Sequence, residues 1–272
     1  MIWLAATLLS AGLNACSSES HATSLRLGTT YTVEQSGALA FLDSLQPPVP
    51  VRVIIQASGQ IIRSAAARDL DVVITHAPSL EQRLLVAPGR VSLRCPFVAS
   101  RFAIVGPSAD PARVSAAPTA ADAFHRIASA RAAFISRGDS SGTHIKELSL
   151  WQVAGIAPSR TDSWYIQTGV DQAATLRLAD ERGAYALADL PTFTRLTGLD
   201  LRVLFAADSA LGNPYTLYVI RSTPEQLAAE RFSSWALAAW RPKLLALRLP
   251  DGEAAFVPLT GGCAAAVARA EQ

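Results

Sequence analysis

Three short stretches of this 272-residue chain place hydroxyls, amides and small residues directly ahead of a helical pattern. The first is Gly28-Thr29-Thr30-Tyr31-Thr32 and the second is Ala57-Ser58-Gly59-Gln60. The third is Ser136-Arg137-Gly138-Asp139-Ser140-Ser141-Gly142-Thr143. A helix N-terminus offers amide donors without intrahelical partners and the positive end of the dipole, which together suit an anion. Hydroxyls add donors with little bulk, and glycines let the backbone come close. Taken singly, each stretch is an ordinary helix cap. Three in one chain, with Arg137 as the only strong positive charge among them, point to a bound anion. The guanidinium would match its charge, while hydroxyls and amides would sort anions by radius and shape.

Other chemistry finds less support. His76 and His144 have no Cys, His or carboxylate neighbours at metal-ligand spacing, so no metal cation is expected. Arg137-Gly138-Asp139 sits in a strand-to-helix turn rather than reading as an adhesion signal, with Asp139 a helix-start residue. Ser141 lies in Ser-Ser-Gly-Thr, not in Gly-x-Ser-x-Gly, so a nucleophile elbow is absent. No nucleophile with its base, and no paired metal carboxylates, can be picked out, which argues against a phosphate- or sulfate-ester hydrolase. Trp151, Trp164, Trp235 and Trp240 are expected in core packing.

The elements that must hold these loops alternate. Leu25 to Gly28 is a predicted strand, followed by a helix from Thr32 carrying Leu39, Leu42 and Leu45, which Pro47, Pro48 and Pro50 stop. Val51 to Ile55 is a strand, Gly59 to Arg68 a helix and Asp71 to Thr75 a buried strand. This βαβαβ order is that of a parallel sheet covered on both faces. It resumes with a strand over Phe97 to Val105, a helix capped at Thr119, a strand at Ala133 to Ser136, and a helix from Thr143 to Ala154. That last helix is expected to bury Ile145, Leu148 and Trp151. Further short strands are Trp164 to Ile166, Tyr185 to Leu187, Leu201 to Phe205 and Tyr215 to Ile220, before a helical region from Glu225 to Leu245. The expected organisation is two α/β lobes, residues 25–94 with 208–272 and residues 95–207, with ligand held between them at the carboxyl ends of strands.

Half the chain is hydrophobic and 17% is charged, with a net charge of +2, as for a globular protein without the basic surface of a nucleic-acid binder. Ile2 to Leu13 carries no charge, is too short for a bilayer span, and runs into Leu13-Asn14-Ala15-Cys16. It reads as a signal peptide over residues 1–16 whose end resembles a lipobox, so Cys16 is a candidate for lipidation, followed by a tether over 17–24. Cys95 and Cys263 could pair in an oxidising compartment or remain as two buried thiols; sequence leaves both open.

At its three anion-suited loops the chain resembles the tungstate-binding proteins of ABC importers. Thr29-Thr30-Tyr31-Thr32 with Gln35-Ser36-Gly37 is similar to that family's Thr-rich opening, and Ser58-Gly59-Gln60 to its second turn. Asp71 to Pro78 matches its third strand, Phe102 to Pro107 its crossover, and Ser136 to His144 its most specific block. Asn213-Pro214-Tyr215 and Phe256-Val257-Pro258 complete the series. The chain departs from the family at Tyr31, where another threonine is usual. It departs again at Gly169 to Thr175, where Asp171 would repel an anion if it pointed inward. The resemblance implies an α/β, two-lobed periplasmic-binding-protein-like fold of type II that closes around tungstate or molybdate. Thr30, Tyr31, Thr32 and Ser58 would bind from one lobe, and Arg137, Ser141, Gly142 and Thr143 from the other. It also implies a monomer with no cofactor, working outside the cytoplasm with an ABC importer permease and reaching the membrane only through a lipid on Cys16. Sulfate or phosphate are the alternative ligands.

Overall fold

The computed structural model of the chain describes residues 24–265. The expected signal peptide, Cys16 and all of the tether but Ser24 lie outside them. β1 (Leu25–Thr30), β2 (Val51–Gln56) and β3 (Val72–Thr75) pair in parallel, with β1 central. β3 is buried throughout and β1 nearly so, as a covered parallel sheet requires, while β2 lies at the sheet edge and is only partly buried. β4 (Val91–Gly106) is a 16-residue strand that serves two sheets. Through Val91 to Arg101 it pairs antiparallel with β9, and from Phe102 to Gly106 it pairs antiparallel with β7 and β8.

The second sheet is built from β5 (Phe134–Ser136), β6 (Tyr165–Gln167), β7 (Ala186–Asp189) and β8 (Arg202–Phe205) around the far end of β4. β5 pairs in parallel with β6 and meets Tyr185, the residue before β7, through a parallel bridge from Phe134. β9 (Gly212–Ile220) then returns to the first sheet and lies between β3 and β4, antiparallel to both. Two short strands, β10 (Val257–Pro258) and β11 (Ala264–Ala265), pair with the other edge of β4. The fold is therefore two-lobed α/β, and each lobe's parallel strands are joined by antiparallel β4 and β9.

Ten helices are seen among the described residues. α1 (Tyr31–Gln35) and α2 (Ala40–Ser44) stand where one longer helix was expected. The break has a local cause: Ser36 Oγ donates to the Val33 carbonyl at 2.9 Å, and Gly37 takes φ +81°. α3 (Ser58–Ala66) and α4 (Pro78–Glu81) cover the first sheet on one face, burying Ile61, Ile62 and Leu80. α5 (Ala120–Ser129) is capped by Thr119, whose hydroxyl accepts from the Asp122 amide at 3.1 Å. α6 (Gly142–Val153) packs beside it around Phe124, Phe134 and Trp151, whose rings meet edge-on or tilted. α7 (Gln172–Glu181) and α8 (Leu190–Arg195) cover the other face of the second lobe. α9 (Gln226–Trp235) and α10 (Arg241–Ala246) return to the first, with Phe232 and Trp240 in its core.

The expected apolar stripe on α6 is corrected. Leu148 is 44% exposed, and the buried face is Thr143, His144, Glu147, Leu150 and Trp151. Glu147 is tolerated there because Tyr165 donates to it at 2.7 Å and Trp151 at 3.2 Å, and burial pushes its carboxyl up to about 7. Cys95 and Cys263 are joined as a disulfide, which decides the choice the sequence left open.

Candidate anion site between the lobes

Each anion-suited loop lies where a strand of one lobe ends against the other lobe. β1 ends on Thr30, α1 carries Thr32 in its first turn, and α3 opens on Ser58. β5 runs into Arg137, and α6 begins beyond the N-cap Ser141, whose Oγ accepts from the His144 amide at 3.2 Å. Contacts across the cleft bring these loops together. The Gly59 amide donates to the Ser140 carbonyl at 3.1 Å, the Gly142 amide to Ser58 Oγ at 3.1 Å, and the Ala173 amide to Gln35 Oε1 at 3.2 Å. Gly142 is required by the approach itself: a Cβ there would stand 2.5 Å from the His76 ring.

Thr30, Thr32, Ser58, Arg137, Ser141 and Thr143 are all buried. Arg137 pairs with Asp139 through one terminal nitrogen, and Asp139 also accepts from the Ser141 amide at 3.0 Å. Arg137 Nε and Thr143 Oγ1 are buried without any hydrogen-bond partner. Such groups are costly when unmatched, and an oxyanion has the acceptors they lack. Ser58 Oγ accepts from Gly142 and keeps its own proton to donate. Tyr31 is half-buried and takes no part in the hydrogen-bonding around Thr32. Asp171 caps α7, its carboxylate accepting from the Ala174 amide at 2.9 Å, so its charge is committed to that helix.

Sequence reasoning missed the residues behind the threonines. Thr30 Oγ1 lies 2.9 Å from Thr32 Oγ1, which lies 3.0 Å from His76 Nε2. His76 Nδ1 is 2.8 Å from Asn213 Oδ1. The Asn213 amide donates to Ser100 Oγ at 3.0 Å, to Asp189 Oδ1 at 2.9 Å and to the Tyr215 hydroxyl at 3.1 Å. Asp189 further accepts from Ser100 Oγ at 2.6 Å and from Thr192 Oγ1 at 2.9 Å. The His76 ring stacks on Tyr215 at 4.7 Å. Its imidazole is held down to about 4, first by burial and then by the nearby Arg137 charge, against the Asn213 hydrogen bond and Asp139, which favour protonation. His76 is thus neutral near pH 7.

Thr32, His76 and Asn213 together form a hydroxyl–imidazole–amide relay, a nucleophile–base geometry that the sequence did not reveal. Two signals were available: His76 directly follows β3 and Asn213 is the second residue of β9, and both lie in stretches, Asp71 to Pro78 and Asn213 to Tyr215, that the resemblance had picked out. Among the described residues no group of three His, Cys, Asp or Glu side chains comes together as a cation site.

Comparison with known proteins agrees with this architecture. Residues 17–239 match the model of the PBP superfamily domain. An anion-binding protein assigned to an ABC transporter of Haloferax volcanii is 38% identical over 203 residues, covering 70% of this chain and 58% of that one. The crystal structure of the tungstate ABC transporter from Geobacter sulfurreducens is 36% identical, covering 80% of this chain and 96% of that chain at a TM-score of 0.69. The tungstate-binding protein TupA from Desulfovibrio alaskensis is 30% identical, covering 87% and 99% at a TM-score of 0.70. By its sequence, its two-lobed fold and its interlobe loops, the chain belongs to the PBP superfamily and, within it, to the tungstate-binding substrate-binding proteins.

Proposed function

We propose that this protein captures tungstate, or the similar oxyanion molybdate, between its lobes and delivers it to an ABC importer permease. The observation that carries this reading is the pair of buried, unpartnered donors, Arg137 Nε and Thr143 Oγ1, beside the α6 N-terminus and opposite Thr30, Thr32 and Ser58. A tetrahedral oxyanion takes donors from several directions at once, which is what loops from two lobes supply. The protein works as a monomer outside the cytoplasm, held at the membrane by a lipid on Cys16, and it turns over no substrate. The Thr32–His76 relay does not change that. The pair is 3.0 Å apart in the anion cleft, and saturable hydrolysis of phosphate, sulfate or acyl esters that is lost in Thr32→Ala would overturn this part of the reading.

The test is a melting and calorimetry screen of residues 17–272 against tungstate, molybdate, sulfate and phosphate. A ligand at one hundred times its dissociation constant stabilises the folded state by about 2.7 kcal/mol. Tungstate and molybdate should raise the melting temperature with one site per chain, sulfate and phosphate less. If none of the four binds, the reading is wrong.

A further inference from the structure

Resting on the capture reading above, the geometry points to a further role for His76: it sets the direction of the Thr30–Thr32 hydroxyl pair, and oxyanion capture takes up one proton at its Nε2. The proton positions follow from the buried end of the network. Asp189 is wholly buried and is met by Ser100, Thr192, Tyr215 and Asn213, so the amide nitrogen of Asn213 faces it and the amide oxygen faces His76. That oxygen only accepts, so His76 Nδ1 carries the ring's hydrogen. In the neutral imidazole Nε2 is then an acceptor, and Thr32 donates its one hydroxyl proton to it. Thr30 in turn donates to Thr32. The Tyr215 hydroxyl also lies 3.4 Å from Thr32 Oγ1, and neither threonine has a proton left to offer the cleft, the wrong polarity for an oxyanion.

A proton on Nε2 reverses the series. His76 donates to Thr32, and the Thr32 and Thr30 hydroxyl protons are released toward the ligand. Charge leads to the same place independently. Arg137 is already paired with Asp139, so that loop brings no net charge to a dianion, and an imidazolium supplies one.

The charged and titratable groups around His76 come from every element packed on it. Arg137 opposes the proton and Asp139 favours it. Asp189 acts through Asn213, the Tyr215 ring stacks on the imidazole, and His144 and Glu147 lie in and beneath the Arg137 loop. In the ligand-free protein burial keeps His76 neutral; a dianion placed beside it shifts the balance toward the charged form. Between those two conditions binding consumes a proton, so affinity falls as pH rises.

The experiment is calorimetry of sodium tungstate binding from pH 7 to 9 in buffers of different ionisation enthalpy. We expect uptake of about one proton per tungstate and a dissociation constant that rises by about tenfold per pH unit, as linkage requires for one proton. His76→Gln should abolish both effects, and His144→Gln and Glu147→Gln should keep them. Nitrogen NMR of wild-type protein should show the His76 ring become imidazolium on tungstate addition, which needs no variant to fold. Binding with no proton uptake in wild type, or equal uptake in His76→Gln, overturns the role of His76 while leaving capture intact. Absence of tungstate binding overturns both.

Discussion

A divalent oxyanion leaving water needs its charge matched by donors in the cleft, or the desolvation cost is not offset. Arg137 is the one cation among the three loops, and it arrives partly neutralised by Asp139. Removing one partner of a buried charge pair typically costs about 2–5 kcal/mol. Arg137→Ala should lose affinity on that scale, about thirty- to several-thousand-fold, with Asp139 left to repel the ligand. Arg137→Lys should recover part of the loss, because charge returns without the planar fork. Thr143→Ala, the loss of a single neutral donor, should cost about 1–3 kcal/mol. Asp139→Asn should tighten binding, since Asn still accepts from the Ser141 amide and frees the guanidinium. Calorimetry decides all four, and an Arg137→Ala protein that binds like wild type would move the anion elsewhere. Arg137, Ser58 and Thr143 could be nominated from the sequence because each lies between the end of a strand and the first turn of the next helix, in one continuous stretch. His76, Asn213 and Asp189 were not. They come from three separate strand ends, 137 residues apart at the His76–Asn213 bond, and only the folded sheet brings them together.

At the scale of elements, α6 shows where periodicity misleads. Ile145, Leu148 and Trp151 share a spacing that suits one helical face, yet Leu148 is exposed and Glu147 is buried. The helix is oriented by its N-terminal contacts: Thr143 and His144 are buried, His144 Nδ1 accepts from the Ser140 amide at 3.1 Å, and Glu147 follows one turn later, beneath Ser136 and Arg137. The break between α1 and α2 likewise serves the cleft, since Gly37 receives the Arg195 guanidinium from α8 against its backbone. The start of α6 gives a direct test of closure. Alanine suits a first helical turn better than glycine, so Gly142→Ala should leave unliganded stability unchanged or slightly raised. Its methyl would nonetheless meet the His76 ring at 2.5 Å and hold the lobes apart. We expect tungstate affinity to fall by at least tenfold, with small-angle scattering of the tungstate-saturated variant remaining more extended than wild type. Unchanged affinity would mean that closure does not bring these two residues into contact.

For the whole molecule, composition and the alternation of strands and helices were enough to foresee two α/β lobes. A crossover near Phe102 was foreseen as well, but not that one unbroken 16-residue strand makes it, β4 changing partner between Arg101 and Phe102 without a turn. Its outer edge is covered by β10 and β11, and the Cys95–Cys263 disulfide fixes that strap. A bridge across 168 residues restricts the unfolded chain strongly, so Cys263→Ser should cost about 2–5 kcal/mol of stability, read by chemical denaturation. Tungstate affinity should change little, since the strap meets β4 at Leu93 to Ala99, on the side away from β9. The position of β9 has a consequence for how the chain is made. It is an inner strand of the first sheet, yet it follows the entire second lobe. A chain emerging from its N-terminus, from a ribosome or through a membrane pore, therefore presents β1, β2 and β3 long before their neighbour exists. The second lobe, being mostly contiguous, can mature ahead of the first. In the interval the bare flank of β3 is an invitation to mispairing between nascent copies. The half of the molecule synthesised first is the half completed last.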